Sequence, residues 1–163
     1  MKIDTKAFGL IDADEKQKIY FPRGLFGFED YTSYIFFAAE HEPFYWLQSI
    51  DEKEIAFILI NPFLFRKDYE VNISDDELAE VGITAHENIL VFVIVTIPQD
   101  GSPMTANLQG PLVFNRENMT GMQAVLSDTK WKTRHDILDE LKIMKNTGEN
   151  SELTDKPRAE AKG

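Results

Sequence analysis

The chain has 163 residues, 43% hydrophobic and 12% aromatic, with no Cys and a formal net charge of −11. That length suits one domain burying roughly two-thirds of its unfolded surface. The absence of Cys excludes a disulfide framework, a thiol nucleophile and a Cys-ligated metal site. The N-terminus lacks the apolar run of a signal peptide, and no segment approaches the roughly 20 apolar residues of a membrane-spanning helix, so a cytoplasmic protein that does not enter the membrane is expected. The charge is unevenly placed. Glu29 to Glu80 holds 13 acidic residues against Lys53, Arg66 and Lys67, a balance of −10. This disfavours direct nucleic-acid binding, which needs cations for the phosphates. It is compatible with a solvated face or with a surface that attracts a basic protein.

Taken in order, Lys2 to Phe8 alternates polar and apolar residues and predicts a half-buried strand stopping at Gly9. A turn at Asp12–Lys16 leads to a short strand over Lys18–Pro22. Phe21-Pro-Arg-Gly-Leu-Phe-Gly-Phe-Glu29 predicts an irregular loop: its glycines permit positive φ, while Leu25, Phe26 and Phe28 require burial or a partner. Strands are expected over Tyr31–Phe37, Pro43–Ser49 and Ile55–Ile60, the last ended by Asn61-Pro62. Ser74-Asp-Asp-Glu77 is a capping signature for a short helix with Leu78 and Val81 inward and Gly82 as its stop. The longest apolar run, within Glu87–Ile97, does not alternate, so both faces of this strand should be covered; it reads as the central strand. Pro98–Pro103 is a hairpin loop, Met104–Leu108 the return strand, and Leu112–Phe114 and Met119–Leu126 further strands. Thr133 is placed to cap a terminal helix over 134–145, with Ile137, Leu138, Leu141 and Met144 on one stripe. The composition beyond Asn146 predicts a disordered tail over 146–163, leaving 1–145 as the folded domain.

Eight to ten short strands without β-α-β alternation predict a mainly β fold, a small closed or nearly closed antiparallel β-barrel with one or two short helices. Chemistry is hard to find. His41, His86 and His135 are isolated, with no metal-ligand spacing. Ser49 has no nucleophile-elbow setting, and adjacent acids such as Asp75 and Asp76 suit a helix N-terminus better than a metal. No Gly-rich phosphate cradle is present, so no cofactor is implied and no enzyme is expected.

Four stretches at these intervals resemble one family, the flagellar assembly factor FliW. They are Phe21–Glu29, Pro43-Phe-Tyr-Trp-Leu-Gln-Ser49, Thr105-Ala-Asn-Leu-Gln-Gly-Pro-Leu-Val113 and Trp131–His135, with Trp131 standing where the family more usually shows Tyr. The resemblance implies a non-enzymatic, barrel-like cytoplasmic protein with two partners, flagellin before export and CsrA, an RNA-binding regulator that represses flagellin translation. Partner exchange would relieve repression when flagellin is scarce. The acidic third offers the complement to a basic regulator, so Asp51, Glu52, Glu54, Asp68, Glu70, Asp75 and Asp76 are the expected CsrA-facing residues. The flexible, apolar ends of unpolymerised flagellin call for an aromatic groove, expected from Phe44, Trp46, Gln48, Asn107, Gln109 and Pro111. A general export chaperone without affinity for CsrA and a small-molecule-binding barrel remain the alternatives.

Overall fold

A computed structural model describes residues 1–84 and 88–140. The strands in chain order are β1 (Lys2–Thr5), β2 (Gly9–Asp12), β3 (Lys18–Tyr20), β4 (Ser33–Ala38), β5 (Tyr45–Ser49) and β6 (Ala56–Ile60). After α1 (Asp75–Ala79) come β7 (Ile89–Thr96), β8 (Thr105–Ala106), β9 (Leu112–Asn115), β10 (Thr120–Gln123) and β11 (His135–Asp136). Pairing runs β7-β6-β5-β4-β3-β10-β9 and returns to β7, closing a seven-stranded barrel. All these pairs are antiparallel except β3 with β10, which are parallel and share a single register pair, Thr120 with Tyr20. The barrel is therefore closed as expected, but not wholly antiparallel. Beyond it, β8 continues the sheet from the far half of β7, and β11 adds to β8.

β7 is the hub because three strands pair with it. Its first half meets β9 from Ile89 to Phe92, its second half meets β8, and β6 lies along its other edge. The lack of alternation now has its cause. Leu90, Phe92 and Ile94 point into the barrel, while Val91, Val93 and Val95 join an outer cluster. The interior is filled chiefly by rings and branched chains, among them Ile19, Phe21, Tyr34, Leu47, Leu59 and Phe114, as expected for a small barrel. Phe21 packs edge to face on Tyr34 and on Phe114, with centroids at 5.5 and 5.6 Å. These rings occupy the space beside Gly121 of β10, where an added Cβ would lie 2.9 Å from Phe21 and 3.0 Å from Phe114. The weakest seam, β3 against β10, is thus closed by ring packing around a residue without a side chain.

The outer wall carries its own apolar layer in three patches. The β1–β2 hairpin sets Ile3 and Ile11 over Ile35 and Phe37 of β4. Residues Leu64, Phe65 and Tyr69, with Leu126, Trp131 and Ile137, cover β6, β7 and β8. α1 places Leu78 over Val113 and Met122 of β9 and β10. Its N-cap is Ser74, whose Oγ accepts from the Glu77 N–H, and three carboxylates in its first turn complement the helix dipole.

Several expectations shift. The first strand ends at Thr5 because its hydroxyl donates to the Gly9 carbonyl and accepts from the Phe8 N–H, turning the chain back into β2. Phe26 stays 53% exposed although Leu25 beside it is buried. At the C-terminal end Thr133 does not cap the helix: His135 and Asp136 first pair with β8, and Asp136 Oδ1 accepts from the Asp139 N–H as residues 137–140 turn helical. Ile137 is buried, but Leu138 is 51% exposed, so the two do not share an inward stripe. Leu141, Met144 and the tail expected over 146–163 lie outside the described residues, as does His86.

Candidate functional site

Strand alternation puts Tyr45 and Leu47 inside the barrel and Trp46 outside, directly opposite Ile58 of β6 in the register. This pair forms the floor of a groove of about 340 Å³. Phe8, at the β1–β2 turn, makes one wall; its ring stands edge-on to Trp46 at 5.9 Å and to Phe37 at 6.0 Å. Ala39, Glu40, His41 and Phe44, from the connection between β4 and β5, close one side, and Ile97, just past β7, the other. The groove lies at the margin of the outer layer, and its Phe44 and Ile58 also pack against the cluster around Tyr69 and Trp131. Phe8 is 38% exposed and Ile97 55% exposed.

Of the six residues expected to line an aromatic groove, the structure brings only Phe44 and Trp46 into it. Gln48 follows Trp46 on the outer side but is buried, and its amide is committed to backbone. Oε1 accepts from the Lys6 N–H at 3.0 Å, and Nε2 donates toward the Lys53, Ser49 and Ile55 carbonyls at 2.9 to 3.2 Å. It clasps the β1–β2 turn to the turn after β5. Asn107, Gln109 and Pro111 belong to the link between β8 and β9. Asn107 Oδ1 accepts from the Gly110 N–H, the Gln109 carbonyl accepts from the Leu126 N–H, and Pro111 is buried. Asn107 and Gln109 remain partly exposed, apart from the groove lining. Sequence reasoning did not place Phe8, Ile58 and Ile97 in the groove lining. Phe8 had a usable signal, an aromatic beside a turn glycine at the end of an alternating strand.

The seven acidic residues occupy three segments. Asp51, Glu52 and Glu54 lie on the turn between β5 and β6, where Ser49 Oγ accepts from the Asp51 and Glu52 N–H groups. Asp75 and Asp76 are exposed in the first turn of α1, and Glu70 is exposed before it. Asp68 differs, because Arg66 and Lys130 both reach its carboxylate, at 2.8 and 2.9 Å. Hydrogen bonding from Arg66 holds the Asp68 carboxyl well below the usual range, and the same bond pushes the Arg66 guanidinium up. Arg66 also pairs with Glu140 at 3.0 Å, and both cations lie 4.8 Å from the Trp131 ring centroid. Asp68 is therefore neutralised locally. Among the described residues no group of three or more His, Asp or Glu is placed to hold a metal, and no helix is long and apolar enough to cross a membrane.

The loop Phe21–Glu29 and the β8–β9 link meet through one side chain: Gln123 accepts from the Phe26 N–H and donates to the Gly110 carbonyl, both at 2.9 Å. Two of the stretches that carry the resemblance are thus neighbours in space. The family model described as FliW protein matches residues 2–137. The chain belongs to the FliW family. It is 50% identical to the flagellar assembly factor FliW of Treponema denticola over 141 residues, covering 86% of this chain and 96% of that protein. The FliW of Treponema pallidum is 45% identical over 141 residues, with 86% and 94% covered. A crystal structure of a flagellar assembly factor FliW superposes with a TM-score of 0.77 at 34% identity, covering 84% of this chain and 96% of that one.

Proposed function

We propose that this member of a family of flagellar assembly factors acts in the cytoplasm by binding, without catalysis, and exchanges two partners, flagellin and CsrA. Its membership of the FliW family carries the reading. The charge distribution supports the CsrA side. Asp51, Glu52, Glu54, Glu70, Asp75 and Asp76 keep their carboxylates at the surface, and such a field raises the on-rate and selectivity for a basic partner. Asp68 contributes least, since its charge is already paired. Phe44 and Trp46 offer flagellin an apolar contact, with Asn107 and Gln109 as a second, polar one; Gln48 and Pro111, both buried, support these surfaces from beneath. Calorimetric titration of the purified chain with CsrA and with flagellin, at low and high salt, tests the reading. The expected result is salt-sensitive binding of CsrA that flagellin suppresses. Flagellin binding alone would make the protein an export chaperone, and binding of neither would overturn the reading.

A further inference from the structure

We propose that the groove floored by Trp46 and Ile58 is a peptide cleft that takes a single apolar segment flanked by Lys or Arg. Its position comes first: the groove opens on the outer wall between the hairpin turn that carries Phe8 and the cluster around Tyr69 and Trp131, against which its Phe44 and Ile58 pack. Large apolar side chains are left in water on opposite sides, Phe8 at 38% and Ile97 at 55% exposure. The aromatic floor and wall are of the residue types that dominate binding energy at protein contacts.

The chemistry of the lining selects the occupant. A volume of about 340 Å³ holds a few side chains and lies at the low end for small-molecule clefts. Such clefts orient their ligands with convergent polar groups, whereas the polar side chains here, Glu40 and His41, are exposed at the rim. Glu42 is also exposed in the connection between β4 and β5, and Asp100 is exposed three residues past Ile97. A second copy of the chain would oppose like charges, on a protein already at −11, so a different, cationic partner fits. The inference deepens the proposed function by giving the apolar partner, flagellin, a seat and a required flanking charge, yet it is testable without flagellin.

The native protein carries its own probe. Trp131 is 3% exposed, so the acrylamide-quenchable fluorescence belongs to Trp46. The chain is titrated with flagellin, with a synthetic Leu/Lys peptide and with its Leu/Glu counterpart. The expected result is that flagellin and the Leu/Lys peptide shield Trp46, that the Leu/Glu peptide binds at least tenfold more weakly, and that Ile97→Ser, at an exposed position, lowers both affinities about tenfold with unchanged melting. The double variant Glu40→Gln, Glu42→Gln should flatten the salt dependence. If calorimetry finds flagellin bound while Trp46 stays quenchable and Ile97→Ser changes nothing, the groove proposal falls and the function stands. If flagellin does not bind but the Leu/Lys peptide shields Trp46, the function falls and the groove stands. Equal binding of both peptides, or shielding that grows with protein concentration alone, overturns the proposal.

Discussion

Tyr34 sits in the barrel interior with its ring against Phe21 and Phe57, and its buried hydroxyl has no hydrogen-bond partner among the described residues. Leaving such a group unpaired costs about 1–3 kcal/mol, so Tyr34→Phe, which keeps the ring, should stabilise the fold by about 1 kcal/mol in denaturant titrations. Burial, and secondarily Tyr31, pushes the Tyr34 hydroxyl up to about 12 from the ordinary 10.0. The unfolded chain thus releases this proton first as the solution becomes alkaline. Stability from Tyr34 is complete below pH 10 and is lost as the pH rises toward 12, by about 3 kcal/mol. Tyr45 and Tyr69 are shifted upward by burial too and add to the loss. Chemical unfolding of wild type and Tyr34→Phe between pH 9 and about 12 should show the smaller alkaline loss in the variant. Parallel curves would refute this assignment.

Among the elements, the β1–β2 hairpin makes the groove wall, and its placement depends on a few contacts outside its own two strands. Ile3 and Ile11 pack on β4, and Gln48 reaches the Lys6 N–H from β5. Gln48→Ala takes a partner from that part-buried N–H and from the Ser49 and Lys53 carbonyls, while the Ile55 carbonyl keeps the Ser49 N–H, a cost of about 1–2 kcal/mol. The variant should therefore melt earlier, and it should weaken flagellin binding only as far as the hairpin loosens. Quenching of Trp46 by acrylamide, which rises if Phe8 leaves its ring, separates this from a direct contact. Unchanged melting with lost binding would return Gln48 to the binding surface.

For the whole molecule, the balance of −10 within Glu29–Glu80 is expected, on the proposed binding of CsrA, to act on encounter more than on holding. Replacing Asp51, Glu54 and Glu70 by Lys should lower the CsrA association rate about tenfold at low salt and leave the dissociation rate nearly unchanged. These three are chosen because Asp75 and Asp76 also stabilise α1, and Asp68 is bound up with Arg66 and Lys130. Surface-immobilised CsrA with the chain in flow measures both rates. An association rate insensitive to the triple substitution would move CsrA to another face.

Local pattern alone determined β1 and the strands from β3 to β10, the Ser74 cap and the central place of β7, because these depend on side-chain period and on contacts within a few residues, whereas β2 and β11 escaped it. The motif order was likewise enough to reveal the FliW family. Gln48 shows where pattern ends: beside Trp46 in sequence it reads as part of an aromatic recognition strip, yet a turn 42 residues away takes its amide. Phe8 and Ile97 show the converse, two ordinary apolar residues made into groove walls by the closing of the barrel. Asp68 reads as one more surface acid until Lys130 arrives from the far end of the chain. Barrel closure and the outer layer join residues distant in sequence, and exposure, pairing and groove shape are properties of those joins. Only the tertiary structure could decide them.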